Sequence, residues 1–307
     1  ISESAMTSQN AFSIEQVELG YKNYLRFSVG STAVWLKRFE LGYPFPLNNN
    51  FFYQNSIGDF DNMGLFVNMK AQYPGFGGLW FSFFADEIEF SSISQLFELD
   101  RHMFALQAGV YIPIPLVSFG FLTVSYTKVE PYCYTHTRIL APWYGTNPME
   151  LAYTNNGESL GHYLPPNADE LRVRIEGLPA GRTKTYVQYQ LIRHGADYGS
   201  RSVDGSSLLS ELDPEGRSEK MVLRKFFLRD GAYEWRHIVK VGASHTFAAL
   251  PWPVQVFGEA GVVFSSFTDI AGEPNSGSAS AYTPINTAEY PRSTALIFSL
   301  GLLYNLP

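Results

Sequence analysis

The chain has 307 residues, of which 45% are apolar, 16% aromatic and only 17% charged, with a formal net charge of −7. This amount of apolar surface excludes an intrinsically disordered chain. The acidic balance disfavours nucleic-acid binding, which needs clustered Lys and Arg, and the single cysteine, Cys133, excludes a disulfide framework and a cysteine-rich metal site.

Eleven segments have the composition and alternation of β-strands. In chain order they are about 13–20, 24–36, 64–71, 79–88, 103–111, 117–129, 169–177, 184–194, 233–247, 254–267 and 293–305. In the segment 169–177, charged side chains at positions 170, 172, 174 and 176 alternate with apolar ones at 171, 173 and 175. A period of two places charged and apolar groups on opposite faces. A soluble sandwich alternates in the same way, so this pattern alone leaves that fold open.

Two uncharged runs, 103–127 and 241–258, are long enough for a transmembrane helix. Each contains two prolines near its middle, which are Pro113 and Pro115 in the first run and Pro251 and Pro253 in the second. An interior proline costs a helix about 3 kcal/mol. We therefore interpret each run as two strands that are joined by a proline-stiffened turn.

The connections between the strands alternate in length. The short ones lie near 20–23, 73–78, 112–116, 178–182 and 248–253, and the longer ones near 37–63, 89–102, 130–168, 195–232 and 268–292. A sandwich has no reason to sort its loops in this way, whereas outer-membrane barrels do. The sequence therefore predicts an all-β protein, a transmembrane antiparallel up-and-down β-barrel with short periplasmic turns and long extracellular loops.

We expect residues 1–307 to form a single outer-membrane β-barrel domain that lacks one or more N-terminal strands. The strand count is odd, whereas a closed bacterial barrel needs an even number, and the chain starts without Met or a leader segment. Residues 221–228 could be a further strand, because Asp230–Gly231 is a good hairpin turn. We favour a hairpin or helix within the extracellular loop there.

The alternation places charged residues of both signs on the lumen side of the predicted barrel. They are Arg26, Lys70, Glu170, Arg172, Arg174, Glu176, Lys184, Glu234, Arg236, Lys240 and Glu259. A selective pore more often carries a ring of one sign. Mixed signs favour a lumen charge network that is held together by ion pairs across neighbouring strands.

Neither a catalytic nor a metal signature is found. The six histidines have no H-E-x-x-H spacing, and there is no G-x-S-x-G elbow. Asp59, Asp61 and Asn62 resemble half a calcium loop without its distal Glu, so a solvated turn is expected. The sequence thus predicts no enzyme activity, no cofactor and no metal.

The long loops combine aromatic and polar side chains. Glycans are bound by aromatic rings and by hydrogen bonds from Asn, Arg and Tyr. The candidate glycan-binding residues are Tyr134, His136, Arg138, Trp143, Tyr144 and Tyr153. The alternative is that these residues form an interface girdle and pack the loops.

Several ordered segments carry a family resemblance. They are the strand and loop 125–136, the stretches 155–162 and 165–171, Tyr189 to Leu191 followed by Arg193-His194-Gly195, and 227–231 followed by Glu234-Trp235-Arg236-His237. Together, over residues 25–305, they resemble the capsule assembly protein Wzi family. The N-terminal part of the family pattern, including a periplasmic helical segment, is missing here.

The resemblance implies a monomeric outer-membrane barrel that is closed to free diffusion and acts as a surface lectin for capsular polysaccharide. The expected partners are outer-membrane lipid and surface or capsular polysaccharide, in the outer membrane of a diderm bacterium, with no nucleic acid. Two alternatives stay open. One is a porin or solute channel, and the other is a structural subunit of a larger assembly with other envelope proteins.

Overall fold

A computed structural model provides the structure of the chain. It describes residues 10–36, 39–43, 45, 50–58, 61–88, 90–97, 99, 102–136, 151–195, 205–208, 231–247, 254–270 and 292–304. The predicted segment 221–228 lies outside these residues, and so do parts of every long connection.

One antiparallel sheet contains eleven strands, and each strand pairs with its neighbours along the chain. The strands are β1 (Asn10–Tyr21), β2 (Leu25–Leu36), β3 (Asn62–Tyr73), β4 (Gly77–Glu87), β5 (Met103–Ile114), β6 (Gly120–Val129), β9 (Ala168–Ala180), β10 (Thr183–Gly195), β11 (Gly231–Phe247), β12 (Val254–Ile270) and β13 (Ser293–Tyr304). A separate small hairpin consists of β7 (Thr154–Asn155) and β8 (Glu158–Ser159). All eleven predicted strands are confirmed, and the antiparallel all-β class with them.

The part of the chain that the structure describes also contains short helical structure. Helix α1 covers Asn50–Ile57, and a 3₁₀ segment with a kink at Ser92 covers Phe90–Gln95. Within the described ranges, neither helical segment is long and apolar enough to cross a membrane.

The two edges of the sheet are β1 and β13, and no pairing joins them among the residues that the structure describes. Because consecutive strands are antiparallel, the first and the eleventh strand run in the same direction. Closing this sheet with antiparallel pairs throughout therefore requires an odd number of additional strands. The predicted N-terminal strands would satisfy that requirement and stay a prediction.

The register divides the strands into two faces that continue across the whole sheet. One row of partners runs from Arg26 through Lys70, Trp80, Gly109, Ser125, Arg172, Gln190, Ile238 and Val263 to Ala295. The next row runs from Phe27 through Met69, Phe81, Ala108, Tyr126, Leu171, Leu191 and His237 to Phe264. We call the face of the first row the inner face and the face of the second row the outer face.

The outer face exposes large apolar side chains from one edge of the sheet to the other. They include Leu19, Phe27, Leu79, Val110, Ile175, Val187, Val241, Phe264, Leu296, Phe298 and Leu300. A water-soluble monomer rarely leaves so continuous an apolar surface uncovered.

The inner face contains close pairs of a glycine and an aromatic ring on adjacent strands. A Cβ atom on Gly109 would lie 2.2 Å from Trp80, and one on Gly242 would lie 2.2 Å from Tyr186. Each glycine faces its aromatic partner directly in the strand register. The rings therefore occupy the space that the missing side chains leave, an arrangement that supports sheet curvature.

The inner face also surrounds a buried cluster. Strand residues Val34, Ala105 and Ala168 belong to it, and Phe12 of β1 and Ile192 of β10 pack against it. In a flat sheet, β1 and β10 would be separated by more than about 30 Å, since neighbouring strands lie about 4.8 Å apart. The sheet therefore curves, with the inner face on its concave side.

The loop between β6 and β9 supplies the rest of that cluster. The described parts of this loop, residues 130–136 and 151–167, are here named the inner loop. Tyr132, Tyr134, Tyr153 and Leu164 of the inner loop are buried within the cluster. The loop is thus folded against the inner face at the end of the sheet where the long connections lie.

Candidate functional site

Charged side chains on the inner face form ion pairs along and across the strands. Arg172 lies 2.9 Å from Glu170, and Arg174 Nε lies 2.8 Å from Glu176 Oε2. The remaining pairs are Arg26 with Glu18, Lys184 with Glu176, Arg236 with Glu234, and Lys240 with Glu259. Lys70 lies 6.0 Å from the centre of the Tyr111 ring, within the range of a cation–π contact. All eleven residues of the predicted charge network thus lie on the inner face, ten of them in an ion pair and Lys70 beside an aromatic ring.

Amide and hydroxyl groups connect these ion pairs. Arg174 Nη1 donates to Gln188 Oε1 over 3.3 Å, and Gln188 in turn donates to Gln190. Gln190 donates to the buried carboxylate of Glu170. Positive and negative groups therefore neutralise each other locally in the middle of the sheet, and the described inner face has no patch of one sign there.

Two of the predicted glycan-binding residues are buried in the inner loop. Tyr153 is only 1% exposed, and its hydroxyl lies 2.8 Å from Thr32 Oγ1. Burial, and then the negative charge of Asp86, raises the pKa of the Tyr153 hydroxyl well above its usual value. Tyr134 is 5% exposed and packs against Phe84 and Tyr153. Neither ring offers a free face to a sugar in this arrangement.

The other predicted glycan-binding residues are not brought together with these two. His136 is half-buried at the end of the described segment. Arg138, Trp143 and Tyr144 lie outside the described residues. The glycan-binding role of all six residues stays a prediction.

Side-chain amides of two strands, β1 and β3, anchor the backbone of the inner loop. Asn10 of β1 donates its amide to the carbonyls of Ala152 and Thr154 at 3.1 and 3.0 Å. Asn62 at the start of β3 donates to the carbonyl of Leu151 at 3.0 Å. These amides supply hydrogen bonds to buried backbone acceptors of the inner loop.

An exposed aromatic residue on the inner loop was not among the predicted sites. The side chain of Tyr163 is 57% exposed. Its hydroxyl accepts hydrogen bonds from Arg172 Nη2 at 2.8 Å and from Gln190 Nε2 at 3.3 Å. The guanidinium carbon of Arg172 lies 5.8 Å from the centre of the Tyr163 ring. Together with Glu170, these residues form what we call the Tyr163 cluster.

The residues on either side hold Tyr163 in place. Leu164 is buried, and its backbone N–H donates to His162 Nδ1 over 3.1 Å. Burial, and then the positive charge of Arg172, lowers the pKa of His162 from its ordinary value. The neutral imidazole can accept the Leu164 bond, whereas the imidazolium cannot, since both of its ring nitrogens carry hydrogen.

The Tyr163 cluster exposes two groups that a sugar can contact, the Tyr163 ring and the guanidinium of Arg172, whose side chain is 36% exposed, whereas Gln190 and Glu170 are only 7% and 2% exposed. An aromatic ring can stack on the C–H face of a pyranose and a guanidinium can pair with a carboxylate, while the buried amide and carboxylate hold these two groups in position. The sequence signal that could have located Tyr163 is its position between the stretches 155–162 and 165–171, which carry the family resemblance.

The prediction of a solvated turn at the half calcium loop is wrong for Asp61 and Asn62. Asp61 and Asn62 are only 2% and 3% exposed. Asp61 accepts the hydroxyl of Tyr43, and Asn62 bonds to the inner loop. Asp59 lies outside the described residues. Within the described ranges, no three His, Cys, Asp or Glu side chains are close enough together to hold a metal ion.

Comparison with family models, with curated protein sequences and with solved structures gives no match to this chain.

Proposed function

We propose that this chain is a non-enzymatic outer-membrane β-barrel that binds or organises surface polysaccharide, as members of the Wzi family do. The observation that carries the glycan part is the Tyr163 cluster, in which an exposed ring lies beside a guanidinium, an amide and a carboxylate. Acidic sugars match this set best, because Arg172 can pair with a sugar carboxylate.

Membrane embedding is supported by the distribution of polarity. The apolar outer face suits lipid, and the inner face carries ion pairs on its concave side. Hydrocarbon requires backbone hydrogen bonds to be satisfied within the protein, which a closed antiparallel sheet achieves. We therefore propose that additional strands complete this sheet into a barrel with the long loops outside the cell.

The barrel proposal is tested by extraction and reconstitution. The full protein should require detergent to leave the membrane fraction, and its strands should form a closed ring in a map of the detergent complex. A protein that stays monomeric in buffer without detergent, with its outer face packed inside, would contradict the proposal.

The glycan proposal is tested with surface polysaccharide that is extracted from the source organism. We expect Tyr163→Ala to weaken binding about tenfold or more, a loss of about 1.4 kcal/mol. Ile175→Ala on the outer face serves as a control and should bind like the native protein. Trp143→Ala and Arg138→Ala test the loop residues that the sequence predicts. Absence of binding by the native protein would remove the lectin function.

A solute channel is the second candidate. Arg26 and Lys184, on the inner face toward the short turns, leave 64% and 51% of their side chains exposed. Solvent therefore reaches that half of the concave side. A large and steady conductance in planar bilayers would favour a channel over the lectin.

A further inference from the structure

We infer that residues 39–43, Phe45 and helix α1 form a collar that contacts membrane lipid at the long-loop end of the sheet, an inference that depends on the proposed membrane embedding. The collar lies against the outer face of β1 and β2, which is the side that lipid would occupy.

Tyr43 attaches the collar to the sheet. Its side chain is fully buried, and its ring stacks on Trp35 with 4.7 Å between the ring centres. Ser13 of β1 donates its hydroxyl to the carbonyl of Tyr43 over 3.2 Å. Tyr53 of helix α1 then packs edge-on against Tyr43.

The outward side chains of β1 and β2 differ in size and polarity between the part of the sheet that the collar covers and the part that it leaves free. Beneath the collar, outward positions carry the small or polar residues Ala11, Ser13, Ser31 and Ala33, together with Trp35, whose ring is covered by Tyr43. Farther along the same two strands, outward positions carry large and exposed apolar residues, which are Val17, Leu19, Phe27 and Val29. The lipid-facing character of β1 and β2 thus ends where the collar begins.

Polar groups of the collar point toward the sheet and its connections. The backbone N–H of Asn50 donates to Glu15 Oε2 over 3.1 Å, and Gln54 Nε2 donates to the carbonyl of Asp61 over 2.7 Å. The hydroxyls of Tyr43 and Tyr53 donate to carboxylates. These polar groups are therefore satisfied on the protein side.

Four large apolar side chains of the collar are exposed. Phe39 is 87% exposed and Phe52 71% exposed, and Leu41 and Phe45 are also exposed. In helix α1, Phe52 is exposed together with the polar Asn55 and Ser56, whereas a helix facing water turns its large apolar side chains to the core. Aromatic and aliphatic side chains around a satisfied polar side suit the headgroup and upper acyl-chain region of a bilayer.

Lipid is the occupant to which we commit, because the exposed collar side chains continue the apolar outer face. A neighbouring protein would also cover such a surface, and the test separates the two. Cysteine would be introduced at one position at a time and labelled with a nitroxide, in full-length protein in phosphatidylcholine vesicles. Cys133 is fully buried, so unmodified protein should take up little label and provides the blank.

The three labelling positions are Phe52→Cys on the collar, Val29→Cys on the outer face, and Glu158→Cys on the exposed hairpin β7–β8. Collision of each nitroxide with oxygen, which concentrates in lipid, is compared with its collision with a water-soluble nickel chelate. We expect the oxygen-to-nickel ratio at position 52 to exceed that at position 158 several-fold and to approach that at position 29.

Three results would overturn the inference or its premise. A ratio at position 52 equal to that at 158, with a high ratio at 29, would place the collar in water and leave the barrel proposal intact. A label at position 52 that meets neither oxygen nor nickel would indicate a protein partner instead of lipid. A low ratio at position 29 as well would contradict the proposed membrane embedding itself.

Discussion

Arg193 and Asp169 form a bidentate ion pair across the neighbouring strands β9 and β10. Arg193 Nε lies 2.8 Å from Asp169 Oδ1, and its Nη2 donates to Oδ2. Tyr126 donates its hydroxyl to the same carboxylate over 2.9 Å, and the guanidinium lies 5.2 Å from the centre of the Trp235 ring. Asp169 is only 2% exposed, although it lies on the outer face. The pair therefore places a buried, neutralised charge at the long-loop end of the largely apolar outer face.

Removal of this carboxylate charge should destabilise the protein. Asp169→Asn leaves the Arg193 charge without its partner in a largely buried place, so we expect a loss of about 2–3 kcal/mol in the free energy of unfolding. The measurement is urea unfolding of the full protein in detergent micelles.

The control is Glu18→Gln, which breaks the ion pair with Arg26. Both of those side chains are well exposed, at 46% and 64%, so its effect should stay below about 1 kcal/mol. Equal effects of the two substitutions would contradict the assigned role of Asp169.

The contacts between glycines and aromatic rings predict a difference between two Gly→Ala substitutions. Gly109→Ala would place a Cβ 2.2 Å from the Trp80 ring, which has to move, and we expect a loss of about 1–3 kcal/mol. Gly258→Ala meets its nearest atoms at 3.8 Å, so little change should follow. Urea midpoints of both variants in the same detergent decide this, and a neutral Gly109→Ala would mean that the ring is loosely packed.

A buried and an exposed tyrosine of the inner loop should respond differently to truncation, the first by a loss of stability and the second by a loss of binding. Tyr153→Ala empties a fully buried site and should cost about 3–5 kcal/mol in stability. Tyr163→Ala removes an exposed ring and should cost less than about 1 kcal/mol, while it weakens polysaccharide binding. Unfolding and binding would be measured on the same preparations. Binding loss in a fully stable Tyr153→Ala would reverse the assignment.

His162 should make the stability of the inner loop depend on pH. Its folded pKa lies below its ordinary value of 6.5, so the folded state binds fewer protons than the unfolded state between the two pKa values. Its contribution is therefore fully present above about pH 6.5 and is lost as the pH falls through that window.

The expected result is a lower urea midpoint at pH 5 than at pH 8. His162→Asn should reduce that difference, since its Oδ1 can accept the Leu164 N–H without titrating. If the variant and the native protein lose the same stability on acidification, other groups are responsible.

The strands and their two faces could be predicted because they follow from local chemistry. Alternation in β9, for example, depends only on the period of an extended chain. The two uncharged runs could likewise be predicted as strand pairs, because proline restricts the backbone and interrupts a helix. The long loops offered no comparable periodicity, so their aromatic residues could not be sorted into buried and exposed ones.

The limit of local sequence patterns is illustrated by three tyrosines, Tyr134, Tyr153 and Tyr163. All three lie in the same connection and have the same chemistry, and only the first two were predicted to bind glycan. Which ring is buried depends on strands far away in the sequence, such as β2, which supplies Thr32, and β4, which supplies Phe84. The Thr32–Tyr153 contact spans 121 positions of the chain, and contacts over such separations leave no mark on the local sequence pattern.

By itself, the sequence determined the all-β class, the positions of eleven strands, the alternation of short and long connections and the charged face, because extended chains, prolines and turns obey short-range rules. The tertiary structure alone decided the burial of the inner loop, the exposure of Tyr163 and the attachment of the collar to the outer face. Each of these depends on which distant surfaces the curved sheet brings together, and packing, hydrogen bonding and burial act between neighbours in space whatever their separation along the chain.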